Sequence, residues 1–309
     1  MNLRAALVLL ISGLGITTQP SLADPITFTY TLIDVPGSTE TTAIGINNAS
    51  QIVGGYVDSA GNRHGFLDNN GVFTTLDFPG STFTQATGIN NVGQIVGFYS
   101  GGAFLYQNGT YTHLDVPISP GGFSGFLDIT QLAINDVGQI VGTSSSTRAF
   151  LYSNGQVTFL PPYSPNSGTY SFAMGINNAG AIVGNVATQV ATFPYVYTNG
   201  QYTLVSGSDS ATAYSINNAD DILVFDDAVI NGTCLSNLTK PDKGGCLLPF
   251  LPHESQFAGV GRGLNDSDQI VGSYITQGFL ATPVPEPASV LLFASGLAGV
   301  GLLLRRKKA

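Results

Sequence analysis

From residue 26 to residue 283 the apolar residues fall in short runs that alternate with polar ones, and Gly, Asn or Pro cuts the runs every few positions. A period of two over four to seven residues predicts half-buried strands. Residues 81–116 serve as a template: "STFTQATGIN", a turn at "NVG", "QIVGFYS", a turn at "GG", "AFLYQ", the pair "NG", then "TYTHLDV". Asn-Gly between alternating runs is the strongest short hairpin signal. The stretch therefore predicts four strands joined by three tight turns.

The same unit recurs. "GINNASQIVGGY" (45–56) returns as "GINNVGQIVGFY" (88–99), "AINDVGQIVGTS" (133–144) and "GINNAGAIVGNV" (175–186), with weaker copies "SINNADDILVFD" (215–226) and "GLNDSDQIVGSY" (263–274). The copies lie 40–48 residues apart. That period, with strand-like content, predicts propeller blades. The third strand and its turn return as "GFLDNNG" (65–71), "AFLYQNG" (103–109), "AFLYSNG" (149–155) and "YVYTNG" (195–200). In the fifth unit the third strand and its turn are expected in "AVINGT" (228–233), with the Asn231-Gly232 pair at the tip. "LLPFLPHE" (247–254) is expected as the fourth strand, and the cysteine segment between them as an insertion. Asp220-Asp221 and Ser267-Asp268 interrupt the glycine turn, so a less regular turn is expected in copies five and six.

The last unit stops after three strands at "GFLATP" (278–283), while "ITFTYTLIDVPGS" (26–38) resembles the fourth strand "GVFTTLDFPGS" (71–81). A ring explains both, because the first strand then completes the last blade and no raw repeat end remains. The expected fold is all-β: a six-bladed β-propeller of four-stranded blades over 24–283, its N-terminal strand closing the last blade. Within it the recurring phrase reads as the hinge between first and second strands, with Asn47, Asn90, Asn135, Asn177, Asn217 and Asn265 at the turn.

The two ends differ from the repeats. Arg4, the apolar "AALVLLISGLGI" and the small residues of "SLA" predict a secretory signal helix over 1–23. Residues 284–309 hold Pro285, Glu286 and Pro287, an uncharged apolar run "ASVLLFASGLAGVGLLL" and the basic "RRKK". The run is at the short edge of a membrane-spanning helix, with the basic cluster at its cytoplasmic end. This three-part order resembles the PEP-CTERM sorting tail. The resemblance implies a Gram-negative host, processing near Pro285–Pro287 by an exosortase-type protease, and delivery to the envelope, outer surface or extracellular matrix. The C-terminal helix would hold the chain in the inner membrane until then; the plain alternative is a permanent single-pass anchor.

Charge and cysteine usage agree with export. Only 9% of the chain is charged, and between Asp24 and Pro283 five basic residues face eighteen acidic ones. So acidic a segment disfavours nucleic acid and anionic lipid as partners. Cys234 and Cys246 are the only cysteines and stand outside the cytoplasm, so a disulfide is expected.

The core "IN-[ND]-x-G-Q-I-V-G", followed by "[AG]-F-L" and, at 64–67, by "HGFL", resembles the HAF-type extracellular repeats of bacteria. The resemblance covers nearly all of 26–282, implies an exported repeat protein and carries over no catalytic residue.

Turns 1–2 and 3–4 of each unit are uniform, whereas connections 2–3 and 4–1 vary, so a ligand site is expected on the variable face. Glu40 and Glu254, the exported glutamates outside the tail, are placed in 4–1 connections of ring neighbours and are the candidate ligand-face pair. His64, His113 and His253 share no ligand spacing, and neither a metal site nor a cofactor is expected. Asp34, Asp77 and Asp115 recur before "VP" or "FP" and read as turn caps rather than an acidic ring. "NDSD" (265–268) and Asp226-Asp227 lack the alternating acids and closing Glu of a calcium loop. No catalytic constellation stands out. The sequence thus predicts a non-enzymatic binding, adhesion or structural propeller whose partners include exopolysaccharide or surface proteins. The alternative is a hydrolase or lyase on extracellular polysaccharide using Glu40 and Glu254.

Overall fold

The computed structural model describes residues 28–118, 131–163, 169–188, 191–205, 211–226, 232–237, 245–246 and 260–284. All regular structure among them is β. Strand β1 (Phe28–Ile33) is followed by β2 (Ser38–Ile46), β3 (Gln51–Asp58), β4 (Arg63–Asn69) and β5 (Val72–Leu76), which form one antiparallel sheet in chain order. The next sheet is β6 (Thr84–Ile89), β7 (Ile95–Tyr99), β8 (Gly102–Gln107) and β9 (Thr110–Leu114). Then come β10 (Ala133–Ile134), β11 (Ile140–Thr143), β12 (Ala149–Ser153) and β13 (Gln156–Phe159), and after them β14 (Tyr170–Ile176), β15 (Ile182–Ala187), β16 (Thr192–Thr198) and β17 (Gln201–Leu204). A further sheet holds β18 (Thr212–Ile216), β19 (Asp221–Asp226), β20 (Gly232–Asn237) and β21 (Gly245–Cys246). The last holds β22 (Val260–Leu264), β23 (Ile270–Tyr274), β24 (Gln277–Pro283) and, beside β24, the N-terminal β1.

This is a β-propeller. Five of its sheets are four-stranded blades with their side chains described; the β18–β21 sheet follows the same order. The closing strand lies where the partial repeats at the two ends place it, with β1 antiparallel to β24 from Phe28 opposite Pro283 to Ile33 opposite Gly278. Tyr30 and Phe28 of β1 pack on Leu264, Phe279 and Ala281.

Local chemistry sets the strand spacing. The Asn-Gly turns at 70–71, 108–109, 154–155 and 199–200 all take positive φ at both residues, 50–53° for Asn and 78–88° for Gly. That is the primed turn whose twist suits a hairpin. In each first strand except the short β10 a bulge breaks the register, as between Ala43 and Gly45. The bulge explains the glycine of "IVG": a Cβ on Gly97 would lie 2.1 Å from the Gln85 carbonyl oxygen, and one on Gly54 2.0 Å from that of Thr42. Between blades sit clusters such as Val53, Leu76, Ala86, Ile89, Ile95 and Phe104, in which one blade's second and fourth strands meet the next blade's first.

Three expectations change. The fifth third strand is "GTCLSN" at 232–237, pairing with β19 from Asp226 opposite Gly232, so Gly232 opens the strand instead of following it at a hairpin tip. Cys234 and Cys246 are thereby cross-strand partners in β20 and β21. The turns of copies five and six are regular: Asp220 (φ 62°) and Asp268 (φ 56°) adopt the left-handed conformation that Gly93 (φ 81°) takes. Asp and Asn enter that region at lower cost than other non-Gly residues. Glu40, expected in a connection, lies inside β2, because pairing with Val57 resumes after a bulge at the strand's start.

The expected helices over 1–23 and 288–304 lie outside the described residues. Among the described residues no helix is long and apolar enough to cross a membrane.

Candidate functional site

The asparagines of the recurring phrase form a closed circle. Asn47 Oδ1 accepts from the amides of Ala49 and Gln51 at 3.0 Å each, which fixes the turn. Its Nδ2 donates to the Asn90 carbonyl of the next blade at 3.1 Å. Asn90 donates to the Asn135 carbonyl (2.9 Å), Asn135 to that of Asn177 (3.0 Å), Asn177 to that of Asn217 (3.3 Å), Asn217 to that of Asn265 (3.3 Å) and Asn265 back to that of Asn47 (3.0 Å). These side chains are 3–4% exposed.

A second circle lies outside the first. The amides of Asn48, Asn91, Asp136, Asn178, Asn218 and Asp266 each donate to the side-chain oxygen of the next member at 2.7–3.0 Å. The side-chain amides of Asn91 and Asn178 both reach Asp136, and those of Asn48 and Asn218 both reach Asp266. Burial works against the Asp136 carboxylate, but those donors hold its pKa below the ordinary carboxylate range. The hinge reading of the phrase therefore captured half its work. The other half, tying blade to blade, was missed, although an invariant first Asn and an Asn-or-Asp second position were its visible signal. These paired groups surround a cavity of only ≈ 70 Å³, and this face is a clasp that ties blade to blade.

The opposite face carries a cleft of ≈ 290 Å³ between the first and second blades. Glu40 and Thr42 of β2, Gly55–Val57 of β3 and Arg63 and His64 of β4 line one side; Phe83, Thr84 and Gln85 line the other. Glu40, Val57 and Arg63 are direct cross-strand partners, so their side chains leave the same face of the sheet. Among the described residues none of Glu40, Arg63 and Gln85 has a side-chain partner, although each meets the cleft.

His64 is held differently. Its Nδ1 lies 2.9 and 3.0 Å from the two Asp77 oxygens and its Nε2 3.4 Å from Asp58, while the ring stacks on Tyr56 with centroids 5.0 Å apart. Burial opposes protonation, but the bonds and charges of Asp77 and then Asp58 outweigh it, and the pKa is raised. Asp58 itself is lowered to about 2, chiefly by hydrogen bonds from Asn62. Asp34, expected to cap the turn's backbone, instead accepts from side-chain hydroxyls, Ser38 at 3.1 Å and Thr41 at 3.4 Å. Its repeat-mate Asp77 has been diverted to the imidazole. His113 bonds Tyr99 at 2.9 Å in the next blade.

No group of three or more metal-ligating side chains occurs among the described residues. His253, Glu254 and the Pro285–Pro287 motif lie outside them, so Glu40 is the member of the expected glutamate pair that the structure places, in the cleft. The Cys234–Cys246 pairing is placed by backbone register.

Fold and cleft define an all-β propeller with a ligand-sized opening on its variable face. The chain's C-terminal residues 283–307 match the PEP-CTERM protein-sorting motif, which marks an exported protein and is a recognition tag for exosortase processing. No curated protein matches the chain. Similar solved structures include YCF48 bound to D1 peptide, 10% identical over 84% of this chain and 85% of that one with a TM-score of 0.45. A streptogramin B lyase is 12% identical over 83% of this chain and 98% of that one, with a TM-score of 0.40. A chain of a mitotic checkpoint complex is 10% identical over 92% and 100%, with a TM-score of 0.49.

Proposed function

We propose that the chain is a non-enzymatic binding propeller of the cell envelope or extracellular matrix of a Gram-negative bacterium, and that its ligand sits in the cleft between the first two blades. On this reading the β18–β21 sheet is a full blade and the ring has six. The repeats are of the HAF type, residues 1–23 are a signal peptide, and an exosortase processes the tail near Pro285–Pro287 after transient anchoring. Cys234 and Cys246 form a disulfide.

One observation carries the assignment. In a molecule whose asparagines are bonded in closed circles, Glu40, Arg63 and Gln85 meet one cleft with no side-chain partner among the described residues. Glu40 and Gln85 are half-buried while Arg63 is exposed, and half-buried polar groups kept unpaired have a cost that a ligand's hydrogen bonds relieve. The cleft does not favour hydrolysis, since cleavage by the usual route uses two carboxyl groups flanking the bond, and Glu40 is the only carboxylate in its described lining.

The test is a binding screen of the full chain, solubilised in detergent, against glycans and surface-protein extracts, with turnover assayed in parallel. Binding without turnover, weakened by Arg63→Gln, is the expected result. Polysaccharide cleavage abolished by Glu40→Gln would replace this reading with the hydrolase or lyase one.

A further inference from the structure

The cleft owes its existence to one missing side chain. The residue after each "IVG" or its equivalent lies toward the first strand of the next blade, and at three seams it is buried in the gap. Phe98 does so at 4% exposure, packing with Leu132. Thr143 is 5% exposed and accepts a bond from the Ala173 amide at 3.2 Å. Asn185 is 2% exposed and grips Ala213 through its amide at 2.9 Å and its carbonyl at 3.1 Å. At the seam between the first two blades the residue is Gly55, and the space is open.

Backbone geometry does not demand this glycine. Gly55 lacks the positive φ of the turn glycines, and an added Cβ would meet the flexible Gln85 Cγ at 3.3 Å with backbone no nearer than His64 O at 3.5 Å. Gly54 beside it would drive a Cβ to 2.0 Å from a carbonyl oxygen and is needed for the fold. Gly55 therefore keeps a space open where Phe98, Thr143 and Asn185 close it at three other seams.

Resting on the reading of this cleft as the ligand site, we infer that Gly55 opens it for a neutral saccharide unit, held by a pair of neighbouring hydroxyls. A carboxylate such as Glu40 only accepts hydrogen bonds, a guanidinium such as Arg63 only donates, and the Gln85 amide does both. A hydroxyl also does both, so two adjacent ones satisfy Glu40 and Arg63 together without adding charge. The aliphatic Val57 and the Phe83 ring supply apolar wall for the C–H face of a sugar. Glu40 in the lining, with Asp58 and Asp77 behind the His64 they hold, disfavours a uronate. The unpaired guanidinium disfavours an amino sugar.

Calorimetric titration of the full chain in detergent with neutral hexose oligosaccharides, uronate oligosaccharides and amino-sugar oligosaccharides tests this, alongside Gly55→Thr, Glu40→Gln and Arg63→Gln. Thr is the residue the fold already carries at 143, and circular dichroism with thermal unfolding checks that each variant folds. We expect binding of the neutral series, weakened at least tenfold by each substitution, with unfolding midpoints close to the parent's. Should Gly55→Thr not fold, Glu40→Gln and Arg63→Gln decide. Preference for the charged oligosaccharides, still lost in the variants, overturns the neutral class and leaves the cleft as the binding site. Neutral binding indifferent to all three variants overturns the inference and moves the site elsewhere. No binding of any series by the folded parent overturns the inference alone if the wider screen finds a ligand sensitive to Arg63→Gln, and overturns the proposed function as well if it does not.

Discussion

Asn90 shows how one side chain serves two levels of structure. Its Oδ1 accepts from Gln94 N within the blade at 2.8 Å, and its Nδ2 donates to Asn135 O across the seam at 2.9 Å, all at 3% exposure. Asn90→Asp keeps the acceptor and loses the donor; Asn90→Ala loses both. Unsatisfied buried groups cost about 1–3 kcal/mol each. Chemical denaturation should therefore find Asn90→Asp destabilised by roughly 1–3 kcal/mol and Asn90→Ala by more. His64 offers a second residue-scale prediction. Its raised folded pKa means protonation favours the native state: that contribution is full below the unfolded value of about 6.5 and fades as pH rises through the folded pKa. An NMR titration should show the His64 ring titrating above the ordinary histidine value, and Asp77→Asn should lower it. A ring titrating below that value in the parent would contradict the Asp77 and Asp58 contacts.

At the scale of the element, the "IVG" glycines and the Cys234–Cys246 hairpin make opposite points about legibility. The Asn-Gly hairpins were readable because turn chemistry is local. The glycine column was visible too, but its cause was not. It comes from a bulge in the neighbouring strand that brings a carbonyl oxygen to 2.1 Å from a Cβ on Gly97. Gly97→Ala should lose about 1–3 kcal/mol in thermal unfolding, as overpacking does. The fifth unit was misread because an Asn-Gly pair was taken as a hairpin tip. The alignment that the fold obeys sets "GTCL" against "GAFL", with Cys234 at the Phe104 position and Val224 at the Gly97 position. A smaller residue facing a larger one conserves the pair's bulk, a compensation visible only once the strands are in register. Antiparallel partners stand about 4.5–5.5 Å apart at Cα, inside the range a disulfide spans. Mass spectrometry should find the pair oxidised after export. Reduction should cost roughly 2–3 kcal/mol by the chain-entropy model for so short a loop.

For the whole molecule, closure is the decisive feature, and here the sequence was most informative, because a unit lacking its fourth strand at one end and a lone fourth strand at the other admit few arrangements. The cleft was less legible. Glu40 could be singled out by scarcity, but Gly55 stands out only when each seam is compared, and that needs the ring. Closure also yields a prediction. Without β1, the edge of β24 from Gly278 to Pro283 loses its whole ladder, and the cluster of Leu264, Phe279 and Ala281 loses its cover of Phe28 and Tyr30. An open edge with apolar surface beside it recruits another strand. A chain lacking residues 24–33 should therefore associate on size exclusion and unfold at a lower temperature than the parent. Because β24 presents a fixed template, a synthetic peptide of residues 26–35 should add to that edge by strand complementation and restore both the monomer and much of the lost thermal stability. A scrambled peptide of the same composition should do neither, since the alternation of Phe28 and Tyr30 with Thr29 and Thr31 sets which face enters the seam. A truncated chain that stays monomeric and equally stable without any peptide would show that the ring holds through its asparagine clasp alone, and that β1 is an attachment to the closure and not its cause.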